Sequence, residues 1–378
     1  MGRFDALKTY MDETIKKLEL SGIDCIVYQN HKQIFRHAAG YMDIENKLPM
    51  EPRSFFNIYS ATKVITCVAA MQLYEKGHFL FEQPIYEYLP EFKDMRVKSG
   101  TFVIKPAQNH IKIVDLFTMT AGLSYERETP SLLELVKSTN GKYNTRQFVQ
   151  SLAKEPLMFE PGESFNYSFC HEVLGALIEV LSGETLGEYL KRNIFEPLGM
   201  EDSYFELPEE KKNRLAPQYH YNSEKKAVTR ISSDNLARAG TGLQSGGGGL
   251  IMTGDDYILF SDALACGGVG HNGARILSKP AIDIIATGRL KGRQLEEYYK
   301  MMPTPGRNYG LGVATMHDPS ASFSLMPVGS FGWGGLGGVQ NWIDPVNNIS
   351  YYVSQHTIAS PVYLFSSQMR NILYSRLT

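Results

Sequence analysis

Ser60 and Lys63 stand three residues apart in FFNIYSATKVITCVAAMQLYEKG, which runs from Phe55 to Gly77. On a helix that spacing puts both side chains on one face, so the lysine reaches back toward the serine hydroxyl. A neutral hydroxyl is a poor nucleophile and needs an adjacent base. A helix start also offers free N–H groups and the positive end of the dipole, which favour an oxyanion beside Ser60. The same residues equally describe a serine N-cap followed by a solvated lysine. The S-x-x-K spacing recurs at Ser151/Lys154 and Ser223/Lys226. Only the Ser60 copy follows an apolar segment and opens an apolar helix.

Two further stretches supply what a serine–lysine pair lacks. EPGESFNYSFCHEVLGALIEVLSG begins at Glu160 with a Pro-Gly turn and places Tyr167 at a loop-to-helix junction. From there a phenol can project into a cleft. To act as a base it needs a lowered pKa, and the Lys63 ammonium is the expected cause. FGWGGLGGVQNWIDP, from Phe331, formally contains G-x-G-x-x-G between Gly332 and Gly337. A strand-like segment follows instead of a helix, and no βαβ unit surrounds it, so the dinucleotide reading fails. A glycine-rich strand instead lets a ligand approach and can offer a main-chain N–H to an oxyanion. The run Ser245–Tyr257, SGGGGLIMTGDDY, lacks the ending of a phosphate loop and reads as a mobile or close-packed wall.

These parts need elements to hold them. Phe4, Leu7, Met11, Ile15 and Leu18 recur at helical spacing. IDCIVYQN and QIFRHAAG read as a hairpin turning at His31 and Lys32, and VQNWIDP with ISYYVSQH reads as a second. SPVYLFSSQMRNILYSRL reads as a closing helix with Pro361 in its first turn. Residues 85 to 290 are mostly helical in pattern. The expected fold is therefore α/β plus α. One antiparallel sheet is built from both termini and flanked by the terminal helices (1–85 and 300–378). A mostly helical unit (86–299) is inserted, and the site lies in the cleft between them.

Composition narrows the classes. With 38 basic and 40 acidic side chains in 378 residues, no strong field points to nucleic acid or an anionic membrane. The polar N-terminus lacks signal-peptide features and no apolar run reaches a membrane span, so a cytoplasmic location is expected. Cys25, Cys67, Cys170 and Cys266 form no C-x-x-C, and His171-Glu172 has no second histidine at helical spacing. No metal or cofactor is expected.

SATKVITCVAAMQLYEKG, IVDLFTMTAGLSY, FEPGESFNYS, LGALIEVLSG, FEPLGMEDSYF, GGGGLIMTGDDY and GWGGLGG, in this order, resemble the serine β-lactamase and penicillin-binding-protein superfamily. The likeness is greatest to the branch of class C β-lactamases and family VIII carboxylesterases. It implies Ser60 as the acylated nucleophile, Lys63 as its helical partner and Tyr167 as the tyrosine of Y-x-N. It also implies an oxyanion hole made by the backbone N–H groups of Ser60 and Leu336. Trp333-Gly334-Gly335 matches the strand element that is often Lys-Thr-Gly. Two departures bear on the substrate. Phe169 replaces the asparagine of Y-x-N, and Trp333 replaces a cation, so polar recognition is exchanged for aromatic pocket walls. The resemblance thus implies a serine hydrolase acting on a small-molecule acyl ester or amide. A β-lactamase, a D-alanyl-D-alanine carboxypeptidase or D-amino peptidase, and a non-catalytic relative stay open as alternatives. Met119 stands where the family often has histidine.

Overall fold

The structure is a computed structural model describing residues 2–100, 103–237 and 242–377. Helix α1 (Asp5–Leu18) forms where the sequence spacing predicts it, with Leu7 and Met11 buried and Lys16 and Lys17 in its last turn, where cations suit the dipole. Strands β1 (Gly22–Gln29) and β2 (Lys32–Asp43) then pair as a hairpin. Its turn residues Asn30 and His31 have φ of 50° and 65°, the left-handed pair a tight hairpin requires.

Seven further strands complete a nine-stranded sheet. They are β3 (Leu48–Pro49), β4 (Arg307–Tyr309), β5 (Ala314–Met316), β6 (Phe331–Gly332), β7 (Gly334–Gly335), β8 (Val339–Asp344) and β9 (Ile349–Ser354). The order is β4-β5-β6-β8-β9-β1-β2-β3, with β7 paired to β8. The β1–β9 seam, with Ile26 opposite Tyr352, joins the two ends of the chain, as the sequence predicts.

Alternation along the strands sends successive side chains to opposite faces. On one face Phe35 meets Phe4 and His37 meets Asp12, both from the α1 region. Tyr10 of α1 stacks on Phe365 of α5 (Val362–Tyr374), so the two terminal helices cover that face together. Pro361 caps α5 instead of entering its first turn.

On the other face Arg36 pairs with Asp255, and Ile26 and Tyr352 lie against Gly254. Both contacts come from α4 (Gly254–Ala265), a helix within the segment expected as an insertion. It packs directly on the sheet. Thr253, whose hydroxyl accepts from the Asp256 N–H, starts it.

The centre is held by α2 (Thr62–Glu75), buried continuously from Thr62 to Leu73, and by α3 (Cys170–Ser182) beside it. A helix apolar around its whole circumference belongs inside a core. Glycines at φ 78° (Gly77) and 72° (Gly183) follow the two helices. The middle of the chain also contains strands that helical periodicity did not predict. Arg96–Ser99 pairs with Val103–Pro106, and Gln218–Asn222 pairs with Ala227–Ile231. These hairpins are short, and their alternation is too brief to compete with the surrounding helical pattern.

Candidate active site

Strand Phe55–Asn57 pairs with Ile251–Thr253, the strand that runs into α4, and so fixes the approach to Ser60. The chain then turns sharply. Tyr59 has φ of 46°, a left-handed conformation costing about 1–2 kcal/mol for an L-residue. Its buried ring and its hydroxyl, which donates to Gln218 Oε1, hold that turn. Ser60 sits in a single 3₁₀ turn, Tyr59–Ala61, and α2 begins at Thr62. Ser60 therefore makes no cap bond to the helix, and Ala61 occupies the cap position. The hydroxyl is left to face Lys63.

Lys63 is fully buried, and its Nζ donates to Ser60 Oγ at 3.3 Å and to the Gly247 carbonyl. The opposite side of that glycine donates its N–H to Glu172 Oε2 at 2.9 Å, while Ser245 Oγ donates to Oε1 at 2.7 Å. A buried cation needs a partner of opposite charge, and Glu172 is placed behind Gly247 to serve. Burial pushes the Glu172 carboxyl up, and Lys63 opposes that shift. Glu172 lies inside a quoted helix, yet its burial could be known only once Gly247 was packed on it. A Cβ at Gly247 would lie 2.6 Å from Glu172 Oε1, so the glycine run is a close-packed wall.

Tyr167 lies over this pair, with Lys63 Nζ 4.6 Å from its ring centroid. Its hydroxyl accepts from Trp333 Nε1 at 3.1 Å, and the two rings stack at 5.6 Å. The expected lowering of its pKa does not occur. Burial pushes the phenol well up, and hydrogen bonds with Ser60 and Trp333 only partly oppose this.

Gly335 of β7 packs against the Ser60 turn so closely that a Cβ there would meet the Ile58 carbonyl at 2.1 Å. The next residue, Leu336, is 52 % exposed and lines the same cavity as Ser60, Tyr167, Trp333, Gly334 and Gly335. This cavity has a volume of about 750 Å³. Phe169 is not part of its wall. That side chain is 1 % exposed and lies beneath Tyr125 and against Phe148, with ring centroids at 4.7 and 5.2 Å. Tyr125 takes the cavity position instead, and it ends one of the sequence stretches already singled out. Arg127, two residues on, also lines the cavity and carried no sequence signal.

The remaining sequence features lie elsewhere. Ser151 donates to the Gln147 carbonyl within its own helix, and Ser223 and Lys226 fall in a hairpin turn. Met119 is buried at φ 60° and closes a short helix, Ile113–Thr118. A second cavity of about 770 Å³, beside Gly187, Tyr204 and Gln244, holds none of the site residues. One group of metal-type donors, His31, Asp262 and Cys266, lies within 4.8 Å among the described residues. Its His31 Nδ1 is hydrogen-bonded to Asp262 at 2.7 Å, and none of the three lines the Ser60 cavity. No described helix is long and apolar enough to cross a membrane.

Comparison with known proteins agrees with this architecture. The chain is 29 % identical over 356 residues to Protein Rv1367c of Mycobacterium tuberculosis, covering 89 % of this chain and 86 % of that one. It is 25 % identical over 401 residues to Esterase EstB of Burkholderia gladioli, covering 99 % and 95 %. The solved structure of EstCE1, described as a hydrolase with promiscuous acyltransferase activity, superposes with a TM-score of 0.83. That match covers 98 % of both chains at 24 % identity and supports the fold. The family model described as Beta-lactamase matches residues 7–357, so this chain belongs to the Beta-lactamase family.

Proposed function

We propose that the protein is a serine hydrolase that cleaves small acyl esters through an acyl-enzyme at Ser60. The observation that carries this reading is the contact of 3.3 Å between the buried Lys63 Nζ and Ser60 Oγ, with Ser60 lining the cavity. Esterase EstB, similar over almost the whole chain, supports the substrate class.

In this reading Ser60 Oγ attacks the ester carbonyl, and its proton passes to the Lys63–Tyr167 unit. The backbone N–H groups of Ser60 and Leu336 stabilise the tetrahedral oxyanion. The C–O bond to the alcohol breaks, and Tyr167 returns the proton to the leaving oxygen. Water then attacks the acyl carbon by the same route and frees the acid and Ser60. Trp333 and Tyr125 make an aromatic wall that favours an organic nucleophile in place of water. Acyl transfer to a small alcohol is therefore the second reading, and the described activity of EstCE1 accords with it.

The test is p-nitrophenyl butyrate turnover by the wild type and Ser60→Ala, with intact mass spectrometry of the quenched enzyme. Turnover should vanish in the variant, and a butyryl adduct should form on Ser60 of the wild type only. Wild-type turnover in Ser60→Ala rejects the proposal. Adding a primary alcohol should divert part of the acyl group to a butyrate ester if transfer competes with hydrolysis.

A further inference from the structure

Loss of a cation at Trp333 made the expected pocket neutral, but the structure returns a charge to it from another element. Arg127 lines the Ser60 cavity and, among the described residues, is the one formally charged side chain in its wall. Its guanidinium rests on Phe169, 5.5 Å from the ring centroid. No described carboxylate forms an ion pair with it. Its sequence neighbours Glu126 and Glu128 are exposed, and the Glu172 oxygens are engaged by Ser245 and Gly247. Much of the remaining wall is apolar, including Leu236, Met301, Met302, Leu336 and Val362.

A guanidinium held in place by an aromatic face and flanked by apolar surface is preorganised for a planar anion. Its fork of donors matches a carboxylate, and low local polarity strengthens the contact. Ring contacts from Phe169 through Tyr125 to Tyr167 link it to the reacting serine, and both line the same cavity. A substrate held at Ser60 can therefore present a carboxylate to it within that cavity. We propose that Arg127 is an anion-binding subsite and that the substrates are esters carrying a carboxylate on the acyl or the alcohol half. This rests on the acyl-enzyme reading of Ser60.

Three esters separate the alternatives: p-nitrophenyl butyrate, mono-p-nitrophenyl glutarate and 4-carboxyphenyl butyrate. They place no charge, a charge on the acyl half and a charge on the alcohol half. In Arg127→Met the ratio of kcat/KM for an anionic ester to that for the neutral one should fall by about tenfold or more, and Arg127→Lys should recover part of it. A fall with either anionic ester supports the subsite and names the half that carries the charge. Unchanged ratios with both overturn it, while Ser60-dependent butyrate turnover leaves the hydrolase reading intact. If the wild type turns over none of the three, the hydrolase reading fails. The subsite is then decided by calorimetric titration with glutarate, where wild-type binding weakened about tenfold in Arg127→Met supports it. Absent or equal binding in the two proteins overturns it.

Discussion

Trp333 occupies the strand position where the family resemblance places a cation, and its indole N–H donates to Tyr167 Oη at 3.1 Å. A donor to that oxygen stabilises the phenolate and lowers the phenol pKa, against the larger upward push of burial. The charged form of Tyr167 is therefore scarce at neutral pH, and kcat/KM should rise into the alkaline range. Trp333→Phe keeps the aromatic surface and removes the donor. The Tyr167 pKa then rises further, so the basic limb of the pH profile should move to higher pH. At pH 8 kcat/KM should fall about tenfold, since hydrogen bonds to charged groups contribute roughly 1.5–3 kcal/mol. A limb at the same pH in both proteins would refute the role. Tyr167 itself was legible in the sequence, from its place after a Pro-Gly turn. The sign of its pKa shift was not, because burial is set by segments far apart in the chain. Phe169 shows the same limit, since a spacing of two residues from Tyr167 does not say which ring faces the cavity.

Strand β7 and the Ser60 turn form a joint whose tolerance is set by glycine. A Cβ at Gly335 would lie 2.1 Å from the Ile58 carbonyl, a backbone atom that cannot rotate away. Gly335→Ala must therefore push β7 from the turn and, in the proposed mechanism, carry the Leu336 N–H away from the oxyanion. Losing one oxyanion donor lowers rates by about 10²–10³-fold. Ester turnover should fall by roughly 10²-fold while circular dichroism at 25 °C stays that of the wild type. Retention of more than about a third of wild-type kcat would show that Leu336 is not a donor. The elements around this joint were readable because long helices and paired strands carry their periodicity locally, as in α1, α2 and the β1–β2 hairpin. The joint itself was hidden. A left-handed Tyr59 has no sequence signal, since only glycine and asparagine advertise that conformation. The packing of α4 on the sheet was equally hidden, because a pattern of period 3.6 says that a face is buried and not against what.

Across the whole molecule, two histidines among the described residues are buried, His356 and His171. His356 lies just beyond β9 at 1 % exposure, and its ring packs edge-on against Phe56 in the strand leading to Ser60. Burial pushes its pKa down to about 3, so the folded protein holds it neutral at any ordinary pH. His171, buried beside Cys67 at 3.1 Å in α3, is pushed down by burial and then by Lys63. In the unfolded chain both imidazoles take up protons near their usual pKa of about 6.5. The unfolded state thus binds more protons below that value, and stability is full above it and declines as pH falls toward the folded pKa. Between pH 7 and pH 5 a histidine of this kind contributes about 2 kcal/mol to the decline. Urea unfolding at the two pH values should show that loss in the wild type. In His356→Gln the difference between the two pH values should shrink by about 2 kcal/mol, whatever the variant does to stability at pH 7. Because the ring touches the strand before Ser60, loss of the fold on acidification should be accompanied by loss of ester turnover at the same midpoint. An unchanged pH 7-to-5 difference in the variant would remove His356 from the account and leave His171 as the group to test next.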